Sequence, residues 1–164
     1  MKIALLGNPN TGKSSIFNTL TGLRQHIGNF PGVTVDKKVG AIQGTKHTLI
    51  DFPGTYSIYP HSADEAVVYN VLTNPNHEDY PNKIAVIVDA TNMRRNLLLF
   101  TQMYDLGLPT ILIINMIDLA ERKSLQIDLK ELERLFPETE IVLCNARLKM
   151  GKDRIIEAFE GAKR

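Results

Sequence analysis

The sequence predicts an α/β domain built around a mostly parallel β-sheet with helices on both faces. Two observations support this prediction. Short apolar runs rich in β-branched residues alternate with segments of helical periodicity, and the runs in the second half lack the in–out alternation of a half-exposed strand. This alternation predicts six strands and about five helices. No repeat or linker interrupts residues 1–164, so we expect a single domain.

The first half of the chain is predicted to contain three strands, two helices and two loops. We predict strands over Lys2–Leu6, Val33–Ile42 and His47–Asp51, and helices over Lys13–Thr21 and Asp64–Leu72. The second and third strands are expected to be joined by a turn at Gln43–Gly44–Thr45. The segments Gly22–Pro31 and Pro53–His61 carry glycine, asparagine and proline without periodicity, which predicts loops.

The second half repeats the alternation more plainly. We predict strands over Lys83–Asp89, Thr110–Asn115 and Glu140–Cys144, and helices near Arg94–Asp105, over Leu125–Leu135 and over Lys152–Ala162. The first two of these strands are apolar between their polar end residues, which is typical of parallel strands buried on both faces.

Composition excludes several kinds of protein. The formal net charge of +1 argues against a nucleic-acid-binding surface. A single cysteine, Cys144, cannot form an internal disulfide, which indicates a reducing, cytosolic setting, and we expect its thiol to be buried and inert. The apolar runs are far shorter than the roughly 20 residues that cross a bilayer. We therefore expect a cytosolic domain that does not itself insert into the membrane.

The segment Gly7–Ser14 matches the phosphate-loop pattern G-x-x-x-x-G-K-[ST] in full, directly after a predicted strand and at the start of a predicted helix. Backbone N–H groups of such a loop turn inward at a helix N-terminus and bind phosphate. The lysine adds a positive charge for the β- and γ-phosphates, and the serine hydroxyl is a ligand for Mg²⁺. The predicted nucleotide-binding residues here are Gly7, Asn8, Asn10, Thr11, Gly12, Lys13, Ser14 and Ser15.

Two further motifs indicate which nucleotide this loop would bind. Asp51 and Gly54 end a strand in the pattern D-x-x-G, where the carboxylate can hold Mg²⁺ and the glycine N–H can meet the γ-phosphate. Asn115 and Asp118 form N-x-x-D after a buried strand. A carboxylate there accepts both the N1–H and the exocyclic amine of guanine, an arrangement that adenine cannot satisfy. Both motifs fall at strand carboxyl ends, where open α/β sheets bind ligands.

These motifs, in this order, resemble the Ras-like superfamily of phosphate-loop GTPases, which implies that fold for the predicted sheet. In detail, the sequence around and between these motifs is similar to that of the N-terminal G domain of the bacterial ferrous iron transport protein B (FeoB) family. The resemblance is carried by Gly7–Gly22, Gly28–Gly40, Asp51–Glu65, Asp89–Leu99 and Asn115–Asp118. It covers essentially the whole chain.

The resemblance implies further site residues. Thr34 matches the first switch threonine, a Mg²⁺ ligand in the GTP state, and the switches would cover about Leu23–Asp36 and Phe52–Ser62. Ala146 matches the loop residue whose N–H meets guanine O6, with Asn145 and Arg147 beside it. Asn10 matches an asparagine that helps hold K⁺ in related GTPases. The implied catalytic residues are Lys13, Thr34, Gly54 and Asn10, and the implied Mg²⁺ ligands are Ser14, Thr34 and Asp51.

Three positions depart from the usual pattern. Thr55 follows D-x-x-G where Ras-like enzymes with a catalytic glutamine place it, so hydrolysis is expected to be slow and to depend on switch-loop backbone groups. Met116 replaces the lysine of N-K-x-D, and Asn145 stands where many relatives have serine. We expect both of these changes to weaken nucleotide affinity and speed release.

The resemblance implies a domain that binds GTP–Mg²⁺ and hydrolyses GTP as the cytosolic regulatory part of an inner-membrane ferrous iron transporter. The helical and membrane-spanning parts of that family are missing from these residues and are the implied partners, at the cytoplasmic face of the bacterial inner membrane. Two alternatives remain open from the sequence. One is a GTPase of the Era/TrmE type, which acts in ribosome assembly or tRNA modification. The other is a GTP-dependent binding switch with only slow hydrolysis.

Overall fold

The computed structural model describes residues 1–148 and 150–161. It contains a seven-stranded sheet in the order β2-β3-β4-β1-β5-β6-β7. The strands are β1 (Lys2–Gly7), β2 (Gln25–Asn29), β3 (Asp36–Ala41), β4 (Thr48–Asp51), β5 (Lys83–Asp89), β6 (Thr110–Asn115) and β7 (Glu140–Leu143). The strand pairs are parallel from β4 through β1 to β7, and β2–β3 and β3–β4 are antiparallel.

Six α-helices accompany the sheet within the described residues. They are α1 (Lys13–Thr21), α2 (Ala63–Leu72), α3 (Met93–Tyr104), α4 (Ile117–Arg122), α5 (Leu129–Leu135) and α6 (Lys152–Glu160), and a short 3₁₀ turn covers Ala146–Leu148. None of the helices in the part of the chain that the structure describes is both long enough and apolar enough to cross a membrane.

The central strands form because their side chains are buried on both faces of the sheet. Along β1, Ala4 and Leu6 pack into the core on one face, and Ile3 and Leu5 pack into the core on the other. Helices α2, α3, α4 and α5 cover the first core, and α1 and α6 cover the second. This is the two-sided arrangement that apolar runs without alternation predict.

The edge strand β2 was not predicted. It lies within Gly22–Pro31, which the sequence indicated as a loop, and it raises the number of strands from six to seven. All five of its residues are exposed, so its composition carries no burial pattern. It is a strand because it pairs with β3 from Gln25↔Gly40 to Asn29↔Asp36. Tertiary pairing here overrides a sequence that favours a loop.

The structure differs from the prediction by several residues at two element starts, and one helix was not predicted. The strand predicted from Val33 begins at Asp36 because Phe30–Val35 closes on itself, with the Phe30 N–H donating to the Val35 carbonyl at 3.0 Å. The helix predicted from Leu125 begins at Leu129, because Asp128 caps it by accepting the Glu131 N–H at 3.1 Å. Helix α4 directly after β6 was missed. The predicted end of the last helix, Ala162, lies outside the described residues.

The parallel strands bring the three sequence motifs to one edge of the sheet. Strand β1 runs into the phosphate loop, β4 ends at Asp51, and β6 ends at Asn115. Asp51 pairs with Leu5, and Asn115 pairs with Asp89 at the end of β5, so all these strand ends lie side by side. Open α/β sheets bind their ligands in the crevice at this edge.

Candidate functional site

The phosphate loop connects β1 to α1 through two residues of left-handed conformation, Asn10 (φ 67°) and Gly12 (φ 86°). Gly12 is the N-cap of α1, and no side chain caps that helix. A Cβ on Gly12 would lie 2.3 Å from the Asn115 amide nitrogen, so only glycine fits. No residue of the first turn of α1 is acidic and no side chain caps it, which leaves its N–H groups available to an anion.

Lys13 and Asp51 lie in contact at the mouth of this loop. The Lys13 ammonium donates to Asp51 Oδ1, and both side chains are largely buried, at 13% and 11% exposure. The sequence assigned Lys13 to phosphate oxygens and Asp51 to Mg²⁺. In the structure the Lys13 ammonium and the Asp51 carboxylate lie together, and each neutralises the charge that the other would offer to a ligand.

Asn115 joins the phosphate loop to the loop after β7. Its side-chain N–H donates to the Thr11 carbonyl at 3.0 Å, and its side-chain oxygen accepts the Ala146 N–H at 3.1 Å. The Cys144 thiol also donates to that oxygen at 3.4 Å. Asn115 is only 3% exposed, so these contacts are shielded from water. They hold the residues predicted for phosphate and for guanine in a fixed relation.

Asp118 lies in the first turn of α4, two residues beyond Met116. Met116 has the left-handed conformation (φ 63°) and forms the N-cap of that helix. The Asp118 side chain is 29% exposed, and its partner is Arg122 one turn on, at 3.4 Å. A weak, exposed i,i+4 pair of this kind leaves the carboxylate available to a ligand.

The loop after β7 is closed by backbone pairing. Asn145 and Met150 exchange two N–H···O=C bonds of 3.1 Å each, and Ala146 and Arg147 lie in the 3₁₀ turn between them. Arg147 is exposed. Cys144, just before this loop, is 1% exposed, and burial raises the pKa of its thiol to about 12. The thiol is therefore protonated at neutral pH.

The remaining predicted ligands are exposed around the loop. Ser14, Ser15, Asn10 and Thr34 are all exposed, whereas Asn8 is buried. Thr34 lies in the segment that Phe30 and Val35 close, and its side chain makes no hydrogen bond with the described residues. Hydrogen bonds thus join Lys13 to Asp51, and Asn115 to Thr11 and Ala146, and none of them involves the Thr34 side chain.

Thr55, which stands at the position of the catalytic glutamine, faces inward. It is 0% exposed, and its backbone N–H donates to the Gly7 carbonyl at 3.1 Å. Its hydroxyl lies 2.7 Å from Glu65 Oε2 and 2.6 Å from the Ser57 carbonyl. The hydrogen bond from this hydroxyl, assisted by the backbone N–H groups of His61 and Tyr56, lowers the pKa of Glu65.

Sequence reasoning missed two residues that hold this segment. Glu65 also accepts the His61 N–H at 3.0 Å, and Gln102 of α3 accepts the Ile58 N–H at 2.8 Å. Glu65 carried a signal: Ser62 and Glu65 have the S-x-x-E spacing of a helix start, and Ser62 accepts the Glu65 N–H at 3.1 Å. Gln102 lies in another helix, and nothing in the sequence links it to Ile58.

This geometry defines a class of protein. A phosphate-binding turn on a mostly parallel sheet, joined through Asn115 to a loop after the last strand, is that of a phosphate-loop GTPase domain with the Ras-like α/β fold. Comparison with known proteins makes the assignment specific. Residues 1–159 match the family described as ferrous iron transport protein B.

Relatives and solved structures agree with that match. The chain is 45% identical over 128 residues to the Fe(2+) transporter FeoB of Staphylococcus aureus, covering 78% of this chain and 19% of that protein. A GDP-bound variant of S. thermophilus NFeoB superposes with a TM-score of 0.87 at 37% identity, over 96% of this chain and 60% of that one. The G domain of the T. maritima FeoB iron transporter gives 0.83 at 33% identity, over 96% and 94% of the two chains.

The chain belongs to the ferrous iron transport protein B family and is its GTPase domain. It spans about a fifth of the length of the curated relatives it matches.

Proposed function

We propose that this domain binds GTP with Mg²⁺ at the phosphate-loop edge, hydrolyses it to GDP and phosphate, and thereby regulates ferrous iron transport by a larger membrane protein. The observation that carries the proposal is the pair of hydrogen bonds from Asn115 to Thr11 and Ala146. They fix a phosphate-binding loop and a purine-binding loop on one rigid frame, which a guanine nucleotide spans.

The phosphate half of the site supplies positive charge and N–H donors. Lys13 separates from Asp51 and turns to the β- and γ-phosphates, because a triphosphate offers it more negative charge than one carboxylate. The N–H groups at the start of α1 bind the phosphate oxygens, and the Gly54 N–H meets the γ-phosphate. Positioning and electrostatic stabilisation then supply most of the catalysis.

The donor set at this edge fits Mg²⁺. Ser14 and Thr34 offer hydroxyl oxygens and Asp51 a carboxylate, which are the hard oxygen ligands that Mg²⁺ prefers. The Lys13 ammonium beside Asp51 shows that this carboxylate attracts a cation. When bound, Mg²⁺ neutralises charge on the β- and γ-phosphates. Thr34 reaches this set only if the exposed segment before β3 moves toward the loop, which is the change expected of a switch.

The guanine half of the site supplies selectivity. Asp118 accepts two hydrogen bonds from the base, and the Ala146 N–H donates to guanine O6. In this structure the Ala146 N–H donates to the Asn115 side-chain oxygen at 3.1 Å, so it turns from that oxygen to guanine O6 when the nucleotide binds. Adenine cannot donate these two hydrogen bonds to the Asp118 carboxylate, which disfavours it.

The buried position of Thr55 favours a second candidate, a GTP-dependent binding switch in which hydrolysis acts only as a slow timer. Its hydroxyl is engaged by Glu65 and Ser57 and cannot also orient the attacking water. Single-turnover hydrolysis separates the two candidates. Measurable turnover of bound GTP supports the enzyme, and GTP binding without turnover supports the pure switch.

Base recognition is tested with Asp118→Asn. We expect this variant to lose GTP affinity and gain xanthosine triphosphate affinity, because the amide can donate where the carboxylate accepted. Asp128→Asn is the matched control, since Asp128 caps α5 and asparagine caps a helix equally well. Unchanged GTP affinity in Asp118→Asn would sink the assignment of this carboxylate to guanine.

The transport role and the membrane partners are proposed from the family. Iron uptake by the full-length protein, carrying Lys13→Ala in this domain, is the relevant measurement. We expect uptake to be lost while the protein still reaches the membrane. Undiminished uptake would show that iron transport does not depend on nucleotide binding and hydrolysis by this domain.

A further inference from the structure

Asn8 is a buried polar side chain whose amide lacks a partner among the described residues. It is 2% exposed, and neither its Oδ1 nor its Nδ2 makes a hydrogen bond with them. The buried backbone around it is satisfied, because the Asn8 carbonyl accepts the Thr11 hydroxyl at 3.0 Å. A desolvated amide without a partner is unfavourable, and a catalytic role, in which another state supplies the partner, is one reason for a native protein to retain it.

The position of Asn8 indicates which segment of the chain could supply the missing partner. Gly7, on one side of it, accepts the Thr55 N–H at 3.1 Å. Pro9, on the other side, touches the glycine of D-x-x-G, since a Cβ on Gly54 would lie 3.2 to 3.3 Å from Pro9 atoms. Both neighbours of Asn8 in the chain therefore contact the segment Gly54–Thr55. This segment is where an attacking water has to be positioned.

Side chains of this segment do not supply that positioning. The Thr55 hydroxyl is bound inward by Glu65 and Ser57, and Gly54 has no side chain. What Gly54 and Thr55 can offer to a γ-phosphate and a water is backbone N–H and C=O. A backbone positions a water only when the peptide planes themselves are held.

We propose that Asn8 is a positioning residue for GTP hydrolysis. With GTP bound, the side-chain amide of Asn8 binds the backbone of the 53–56 segment as it shifts to bring the Gly54 N–H to the γ-phosphate. An asparagine amide both donates and accepts, so it can hold a peptide group that the shift releases. The side chain of Asn8 then acts through Gly54 and touches neither nucleotide nor water, and the nucleotide binding predicted for this position belongs to its backbone N–H, which substitutions of the side chain leave in place. This inference rests on the proposed contact between Gly54 and the γ-phosphate.

The test compares Asn8→Leu with wild type, because leucine has the same branched skeleton of four side-chain heavy atoms without an amide. We expect the thermal midpoint of the GDP-bound domain to stay the same or rise, since the unpartnered amide is removed. GDP affinity is expected to change by less than about threefold, and single-turnover GTP hydrolysis is expected to fall by about tenfold or more. Asn8→Ser, whose shorter side chain stays polar and cannot overpack the site but lacks the reach of the amide, is expected to lower hydrolysis in the same way.

Asn96→Leu is the matched control. Asn96 is also a buried asparagine, at 3% exposure, but it accepts the Asp89 N–H at 2.8 Å. We expect Asn96→Leu to lower the thermal midpoint and to leave the hydrolysis rate of the folded fraction near wild type. Asn8→Leu should thus keep the thermal midpoint and lower hydrolysis, whereas Asn96→Leu should lower the thermal midpoint and keep hydrolysis.

Two results would overturn the proposal. One is wild-type hydrolysis in both Asn8→Leu and Asn8→Ser. The other is a loss of thermal midpoint in Asn8→Leu as large as in Asn96→Leu, which would mean that the amide already has its partner in the resting state. If the proposed GTPase function itself were wrong, the wild-type domain would show no GTP turnover, which distinguishes that failure from failure of the Asn8 proposal.

Discussion

The hydroxyl of Thr55 lies 2.7 Å from the carboxylate of Glu65, ten positions later in the chain. Thr55 follows the D-x-x-G motif, and Glu65 belongs to the first turn of α2. The contact therefore ties together the two ends of the segment Thr55–Glu65, which contains most of the predicted second switch. A position that could present a catalytic side chain to water is used instead for internal structure.

We expect Thr55→Gln to leave GTP hydrolysis no faster than in wild type and to lower stability. Thr55 is 0% exposed, so a longer side chain must either overpack the space or break the contact with Glu65. Overpacking costs about 1–3 kcal/mol. Single-turnover hydrolysis and urea unfolding measure the two effects. A rate increase of about tenfold would show instead that the site accepts a glutamine in the active orientation.

The Thr55 hydroxyl also makes the second switch sensitive to acid. Because its hydrogen bond lowers the pKa of Glu65 below the ordinary 4.5, the ionised carboxylate favours the folded loop. The stabilisation is present above pH 4.5 and is lost as the pH falls through the lower, folded-state pKa. An NMR titration of the Glu65 carboxyl should give a pKa below 4.5 in wild type. In Thr55→Val the pKa of Glu65 should move back toward 4.5. An unchanged pKa in this variant would show that the Thr55 hydroxyl does not lower it.

The sequence was most informative where burial leaves a simple pattern. The strands Lys83–Asp89 and Thr110–Asn115 were predicted with the bounds that the structure shows, because both faces of each are covered and the run between the polar end residues is apolar. Strand Gln25–Asn29 was missed because it is exposed throughout and exists through pairing with β3. The predicted site motifs lie at one edge, as expected. The contact between Thr55 and Glu65 depends on tertiary geometry, which no local pattern encodes.

The start of β3 is fixed by an ion pair that the sequence did not indicate. Lys37 lies 2.7 Å from Asp79, with side-chain exposures of 19% and 6%, and its ammonium sits 5.8 Å from the centre of the Phe30 ring. Asp79 Oδ2 is buried without a described partner. The pair ties the end of the first switch to the loop after α2.

We expect Asp79→Leu to destabilise the fold by roughly 3 kcal/mol, because it leaves the Lys37 ammonium in a mostly buried place without its counter-ion. Urea unfolding measures this change. The double variant Lys37→Met/Asp79→Leu should recover most of the loss, since both charges are then gone. Glu131→Gln, which breaks the exposed pair with Arg134, is the control and should not move the midpoint measurably. Equal effects of Asp79→Leu and Glu131→Gln would contradict this account of the ion pair.

Asn10 gives the most direct test of cation dependence. It is exposed in the phosphate loop with a φ of 67°, a left-handed conformation that asparagine tolerates better than most residues. We expect single-turnover GTP hydrolysis to be faster in K⁺ than in Na⁺, because a bound cation beside the phosphates would stabilise developing negative charge. In Asn10→Gly the difference should disappear, and glycine accepts the positive φ, so backbone strain is avoided. Asn70→Ala, at an exposed position of α2, is the control and should keep the difference in rate between K⁺ and Na⁺. Equal rates in the two salts for wild type would remove Asn10 as a K⁺ ligand and leave Lys13 and the loop N–H groups as the positive charge at this site.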